Sequence, residues 1–209
     1  MPARSWHRRM KKPVWLALPA AFAMALLAFA VHAQTGVFRD YRITMEVEEE
    51  PGVVPDENYE VPENYARKVV FYRTNEPVGT VIVETGERAL YLVMPENRAL
   101  RYGIGVGRDG FQWKGLLKVS RKAEWPDWRP PPEMIDRQPY LPRFMSGGAG
   151  NPLGARALYL GNTVYRIHGT NQPHTIGQSV SSGCFRLVNN DVIDLYERVP
   201  VGTRVVVQP

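Results

Sequence analysis

Short apolar runs broken by turn residues set the pattern of the chain from position 69 onward. Val78-Gly79-Thr80-Val81-Ile82-Val83 is rich in β-branched residues and reads as a strand. Thr85-Gly86-Glu87-Arg88 reads as a hairpin turn into a second strand, Ala89 to Met94. Pro95-Glu96-Asn97 then leads into a third strand over 99–106. Further strands are expected over 113–120, 157–167 and 203–207. One helix stands out. Asn189 or Asn190 is its expected cap, Asp191 and Asp194 lie near its start, and Pro200 stops it after Leu195 and Tyr196. No internal repeat is present. The predicted fold is mainly β, a sandwich or barrel with one or two short helices.

Residues 124–154 break this texture. They carry Trp125, Trp128, the run Pro130-Pro131-Pro132 and the stretch Ser146-Gly147-Gly148-Ala149-Gly150. Two readings stand: a long loop covering a functional site, or a decorated edge of the sheet.

The first 33 residues follow a different logic. Arg4, Arg8, Arg9, Lys11 and Lys12 precede an apolar run from Val14 to Val31, and Val31-His32-Ala33 ends on a small residue. That order predicts a secretory signal peptide over 1–33, with Gln34 as the mature start. An uncleaved anchor is the alternative; Pro19 and the shortness of the run favour cleavage. All five ionised residues of the segment are basic, so the formal charge of +5 belongs to the export signal. The remainder holds 21 basic and 21 acidic residues, which removes charge as a reason to expect nucleic acid. Residues 34–68 read as a linker. Eight acidic and no basic residues fall between Glu46 and Glu63, with Pro51, Pro55 and Pro62 among them. Such a segment has too little apolar surface to offset its ordering entropy. The expected folded domain is 69–209.

Export changes the meaning of the single cysteine, Cys184. In an oxidising compartment an unpaired thiol is a liability unless it is buried or used. Ser181 and Ser182 precede it with Gly183, and His168-Gly169-Thr170 lies upstream, so a reactive thiol served by a base is the expectation. His174, between Pro173 and Thr175, reads as a surface histidine. Trp113, Trp125 and Trp128 are candidates for packing or for stacking on a bound sugar or peptide. No metal-ligand spacing and no phosphate-cradling glycine loop is present, so no metal and no cofactor are expected.

These elements in order, His168-Gly169-Thr170, Ile176-Gly177, Ser181-Ser182-Gly183-Cys184-Phe185-Arg186 and Asn189 to Tyr196, resemble the L,D-transpeptidase catalytic domain of the YkuD/ErfK type. Arg101 to Gly107 and Asn151-Pro152-Leu153-Gly154 extend the resemblance, which covers about 78–207. It implies a mostly β catalytic domain and a cysteine acyl transferase in the periplasm or cell envelope, with peptidoglycan stem peptides as partners. Cys184 would attack the carbonyl of the third stem residue, D-alanine would leave, and an amine of another stem or of an envelope protein would take the acyl group. No nucleic-acid partner and no stable membrane span after cleavage are expected. By the same resemblance His168 is the base, and the Gly169 carbonyl fixes its tautomer. Backbone donors around Gly183 and Cys184 are the expected oxyanion hole. Ser182 stands where many members have a second histidine, which removes whatever that ring does for substrate or oxyanion, and leaves the Ser182 hydroxyl as a candidate hydrogen-bond donor to either. Arg186 is expected either to hold a substrate carboxylate or to brace the loop. Three other outcomes stay open: hydrolysis of the same thioester, a wall-binding domain without turnover, and a sortase-like enzyme.

Overall fold

The structure, a computed structural model, describes residues 49–56 and 58–209. The signal peptide expected over 1–33 and the first part of the expected linker lie outside these residues. Eleven strands and two α-helices are present among the described residues. Nine strands form one sheet in the order β1-β4-β3-β2-β11-β6-β7-β8-β10. These are β1 (Lys68–Phe71), β2 (Val81–Glu84), β3 (Ala89–Met94), β4 (Arg98–Gly103), β6 (Gly115–Glu124), β7 (Arg156–Leu160), β8 (Arg166–His168), β10 (Phe185–Arg186) and β11 (Arg204–Gln208). The short strands β5 (Val106–Gly107) and β9 (Ser179–Ser181) pair with each other in parallel.

The long strand β6 joins the two halves of the sheet. Its first half pairs with β11 and its second half with β7, and the register shifts between Val119 and Arg121. A bulge of this kind bends a strand and raises its twist, so one strand serves two differently oriented halves. Alternating residues face the main core, where Val81, Val83, Leu90, Leu158, Ile167 and Phe185 are all buried. The helix α2 (Asn189–Arg198) supplies Val192 and Leu195 to that core, and Val199 follows from just beyond its end. The other helix, α1 (Pro132–Arg137), belongs to the 124–154 segment. There Met134 packs with Trp128, Leu141 and Leu153 in a small separate cluster.

The predicted mainly β class with one or two short helices is what the structure has, but several local expectations change. The strand expected over 157–167 is a hairpin, β7 and β8, which turns through Gly161 at φ 57°. The strand expected over 99–106 stops at Gly103, and Val106–Gly107 leaves to pair with β9. Neither asparagine caps α2. Val188 holds the cap position without a side-chain hydrogen bond, and Asn189 instead accepts the Ala155 N–H on Oδ1 at 2.9 Å.

The end of the acidic segment also differs from a loose tether. Tyr65 lies on a surface shaped by two glycines. A Cβ at Gly103 would come within 2.4 Å of the Tyr65 carbonyl oxygen, and one at Gly177 within 2.2 Å of its ring. Arg101 donates to the Asn64 carbonyl at 2.7 Å, and Arg67 pairs with Asp194 at 3.1 Å. The segment docks by polar clamps and one aromatic ring on a preformed surface, a route that apolar composition does not report.

Candidate active site

The site grows from one strand pair. β8 and β10 run parallel, with Phe185 opposite Ile167 and Arg186 opposite His168. Ile167 and Phe185 turn into the core, 0 and 1% exposed. Side chains alternate along a strand, so His168 and Arg186 share the opposite face. Cys184, one residue before β10, stands level with Arg166 and diagonal to His168. Its residue is partly exposed, whereas His168 and Arg186 are buried.

His168 has its tautomer set by the backbone. Nδ1 lies 2.5 Å from the Gly169 carbonyl oxygen, which can only accept, so the ring proton sits on Nδ1 and Nε2 carries the lone pair. Burial, then the nearby Arg186 charge, pulls the imidazole pKa down to about 3. The Cys184 thiol moves up instead. Burial dominates there, and the Glu49 carboxylate adds to it against the opposing pull of Arg166 and Arg186. Both shifts act in the direction of a neutral thiol and a neutral imidazole and against a preformed ion pair. The thiol points at the Val164 carbonyl, 3.8 Å away.

The loop before the nucleophile is rigidly tied. Ser181 Oγ donates to the Cys184 carbonyl at 2.5 Å and accepts the Gly183 N–H at 3.2 Å. Gly183 has φ 102°, and a Cβ there would come within 2.7 Å of the Tyr165 ring. Its carbonyl accepts the Trp113 indole N–H at 2.8 Å. Trp113 stacks on Tyr165 at 4.4 Å and packs against Phe185, so its part is to support this loop. Oxyanion donors were expected around Gly183 and Cys184. The Gly183 N–H is engaged by Ser181, which leaves the N–H of Cys184.

Ser182 accepts from Arg137 Nη2 at 3.2 Å, at the end of α1. The 124–154 segment thus reaches the site, as a loop over it should. Trp128 is buried in that segment's own cluster. Trp125 is half-exposed and lines a cleft of about 330 Å³ with Tyr59, Thr170 and Asn190. His174 is exposed. Among the described residues no three His, Cys, Asp or Glu side chains gather where a metal would bind, and no helix is long and apolar enough to cross a membrane.

Three residues matter here that the sequence did not single out, Asn171, Glu49 and Arg137, and a fourth, Asn189, has a use other than the expected helix cap. Asn189 holds the Gly154–Ala155 backbone beneath Gly169. Asn171, 1% exposed, gives its amide to the Glu50 and Val53 carbonyls at 2.8 and 3.1 Å. Glu49 Oε1 meets Arg186 Nη2 at 2.6 Å. Arg137 joins the loop to Ser182. Of the three, only Asn171, just after the His168-Gly169-Thr170 stretch, had a signal in the chain itself.

The Gly154 contact gives a stability test. Gly154 has φ 61°, and a Cβ would fall 2.3 Å from Asn189 Oδ1 and 2.5 Å from the Thr170 nitrogen. Gly154→Ala is expected to cost roughly 2–4 kcal/mol, from the left-handed backbone and the displaced Asn189 together. Urea denaturation reads this directly, and a cost below about 1 kcal/mol contradicts the packing described.

A family model described as the L,D-transpeptidase catalytic domain matches residues 78–207. The probable L,D-transpeptidase ErfK/SrfK of Escherichia coli (strain K12) is 40% identical over 134 residues, which cover 60% of this chain and 42% of that protein. The putative L,D-transpeptidase YkuD of Bacillus licheniformis is 45% identical over 129 residues, covering 62% of this chain and 65% of that protein. The chain thus spans less than half the length of the Escherichia coli relative. A solved L,D-transpeptidase from Mycobacterium smegmatis superposes with a TM-score of 0.50 at 16% identity, over 62% of this chain and 58% of that one. That likeness concerns the fold alone.

Proposed function

The chain belongs to the L,D-transpeptidase catalytic domain family, and from that membership we propose that it is an exported cysteine acyltransferase acting on peptidoglycan stem peptides. The observation that carries the reading is the β8–β10 register, which pairs Arg186 with His168 and Phe185 with Ile167, so that Cys184 enters β10 one residue before Phe185, while Gly169 holds the ring proton on Nδ1.

Cys184 Sγ attacks the carbonyl carbon of the third stem residue as its proton passes to His168 Nε2. The oxyanion takes the Cys184 N–H, the donor that Ser181 leaves open. Removing one such donor typically lowers the rate about 10²–10³-fold. The carbon–nitrogen bond breaks, His168 returns the proton to the leaving amine of D-alanine, and the acyl group stays on sulfur as a thioester. An acceptor amine, of a second stem or of an envelope protein, then attacks that carbon and gives a proton to His168. The carbon–sulfur bond breaks and the thiol is restored. Neutral resting partners suit this sequence, because the base is free and the proton moves only as the bond forms.

The domain assignment fits the same reading: 1–33 as an export signal and the catalytic domain from 69, with residues up to 68 forming an arm before it. The test is the purified chain with disaccharide-tetrapeptide, followed by mass spectrometry. The expected product is a dimer lighter by one D-alanine than two substrates joined. Accumulation of tripeptide alone replaces transfer by hydrolysis, and unchanged substrate rejects the enzymatic reading.

A further inference from the structure

The Arg186 guanidinium is 1% exposed, yet only its Nη2 has a hydrogen-bond partner; Nε and Nη1 have none. The partner is Glu49, whose own second oxygen, Oε2, is also buried without one. An arginine facing a carboxylate normally engages both oxygens through two parallel N–H donors. A single contact with three polar atoms left over describes a guest that fits the site incompletely. The small space around the pair is lined by Ser182 of the nucleophile loop, Met134 of the covering segment, Val180 of β9 and Arg108 just after β5. Arg186 lies opposite His168 and two residues after Cys184. Whatever occupies this site stands beside the reacting atoms.

Glu49 reaches the site on a strap held mainly through its backbone. Asn171 binds the Glu50 and Val53 carbonyls, and the Gly52 N–H donates to the Gly150 carbonyl at 2.9 Å. No buried apolar side chain of residues 49–54 joins a core cluster. Few contacts thus oppose release, and local opening of such a segment is far easier than global unfolding.

We propose that Arg186 forms a carboxylate subsite and that Glu49 of the chain's own arm fills it, so that the strap 49–54 keeps the enzyme self-inhibited until a peptide carboxylate displaces it. The inference rests on the transpeptidase reading for the identity of the displacing peptide, but the strap itself is testable without turnover. Displacement also removes the Glu49 charge from beside the thiol, which acts in the direction of a more reactive sulfur.

The test compares the wild-type chain with Glu49→Gln and Glu49→Lys. Cys184 is the sole cysteine, so its alkylation by iodoacetamide reads access and reactivity directly. Labelling at pH 8 is expected to be several-fold faster in Glu49→Gln, and more than tenfold faster in Glu49→Lys, where the new charge repels Arg186. Equal or slower labelling in both variants overturns the proposal. The second measurement is hydrogen exchange of the 50–53 amides with an acetylated tetrapeptide ending in D-alanine, against the same peptide with a terminal carboxamide. Faster exchange with the acid alone supports displacement at Arg186. Equal exchange with both overturns it. A purely bracing role for Glu49 predicts the reverse in kinetics, since its loss then raises KM for the tetrapeptide, whereas loss of an internal competitor lowers it. Absence of turnover in the wild-type chain with fast labelling of the variants rejects the transpeptidase reading and leaves the strap standing.

Discussion

Replacing Cys184 with alanine abolishes acylation and leaves the fold in place. Removing an obligatory nucleophile is expected to lower turnover on the order of 10⁶-fold, because the base and oxyanion donor have nothing to act on. The structural cost is small for identifiable reasons. The side chain is absent from every core cluster, and its one polar contact is the long approach to the Val164 carbonyl. What holds the loop is backbone and neighbours: Ser181 Oγ on the Cys184 carbonyl, Trp113 on the Gly183 carbonyl, and the positive φ at Gly183. None of these uses sulfur. The expected stability change is under about 1 kcal/mol, in the range of substitutions away from packed features. Intact-mass analysis after incubation with tetrapeptide, or with a carbapenem as an acylating probe, reads the first outcome, and a thermal melt the second. An adduct on Cys184→Ala, or turnover within a hundredfold of wild type, removes Cys184 from the mechanism.

The parts of this architecture that depend on local pattern were legible in the chain. β-branched runs and turn residues marked β2, β3, β11 and most of β4, because strand propensity and hairpin chemistry act over a few residues. Helix α2 was legible from its acidic start and the proline after it. What failed were features decided by partners far away. Residues 157–167 read as one strand because the turn over 161–164 is short and polar residues also occur in strands; the pairing of β8 back onto β7 divides it. The cap of α2 was misread because Asn189 has a more distant use, the Ala155 N–H. The chemistry was legible as residue types but not as a charge state. His168 and Cys184 announce a base and a nucleophile. Burial pushes both towards neutrality, helped at His168 by two arginines and at Cys184 by Glu49 against those same arginines, and no spacing reports this. The arm was the largest gap. Composition measures apolar surface, while Glu49, Gly52 and Tyr65 dock through an ion pair, a backbone bond and a residue whose ring lies over Gly177 and whose backbone lies over Gly103.

The neutral resting pair leads to the other large effect, at His168. His168→Asn retains an amide N–H near the position of ring Nδ1, able to reach the Gly169 carbonyl, and removes Nε2. Loss of a positioned general base is expected to slow acylation roughly 10²–10⁴-fold. The pH profile separates this role from mere support of the site. With the imidazole held at about 3 and the thiol moved up, the active protonation state persists from weakly acidic to weakly alkaline solution. Wild-type kcat/KM should therefore be flat between pH 5 and 8, with no inflection near the ordinary histidine value of ~6.5. In His168→Asn only thiolate reacts, so the rate should climb about tenfold per pH unit over the same interval. The same depressed pKa links to stability. Between about 6.5 and about 3 the unfolded imidazole binds a proton that the folded one does not, so stability falls as pH drops through that window. His168→Asn lacks the ionisation and should lose less stability than wild type between pH 6.5 and 4. A wild-type profile with a histidine inflection near neutrality, together with equal acid sensitivity of the two proteins, shows that the imidazole is charged at rest and that the thiol is activated as an ion pair instead.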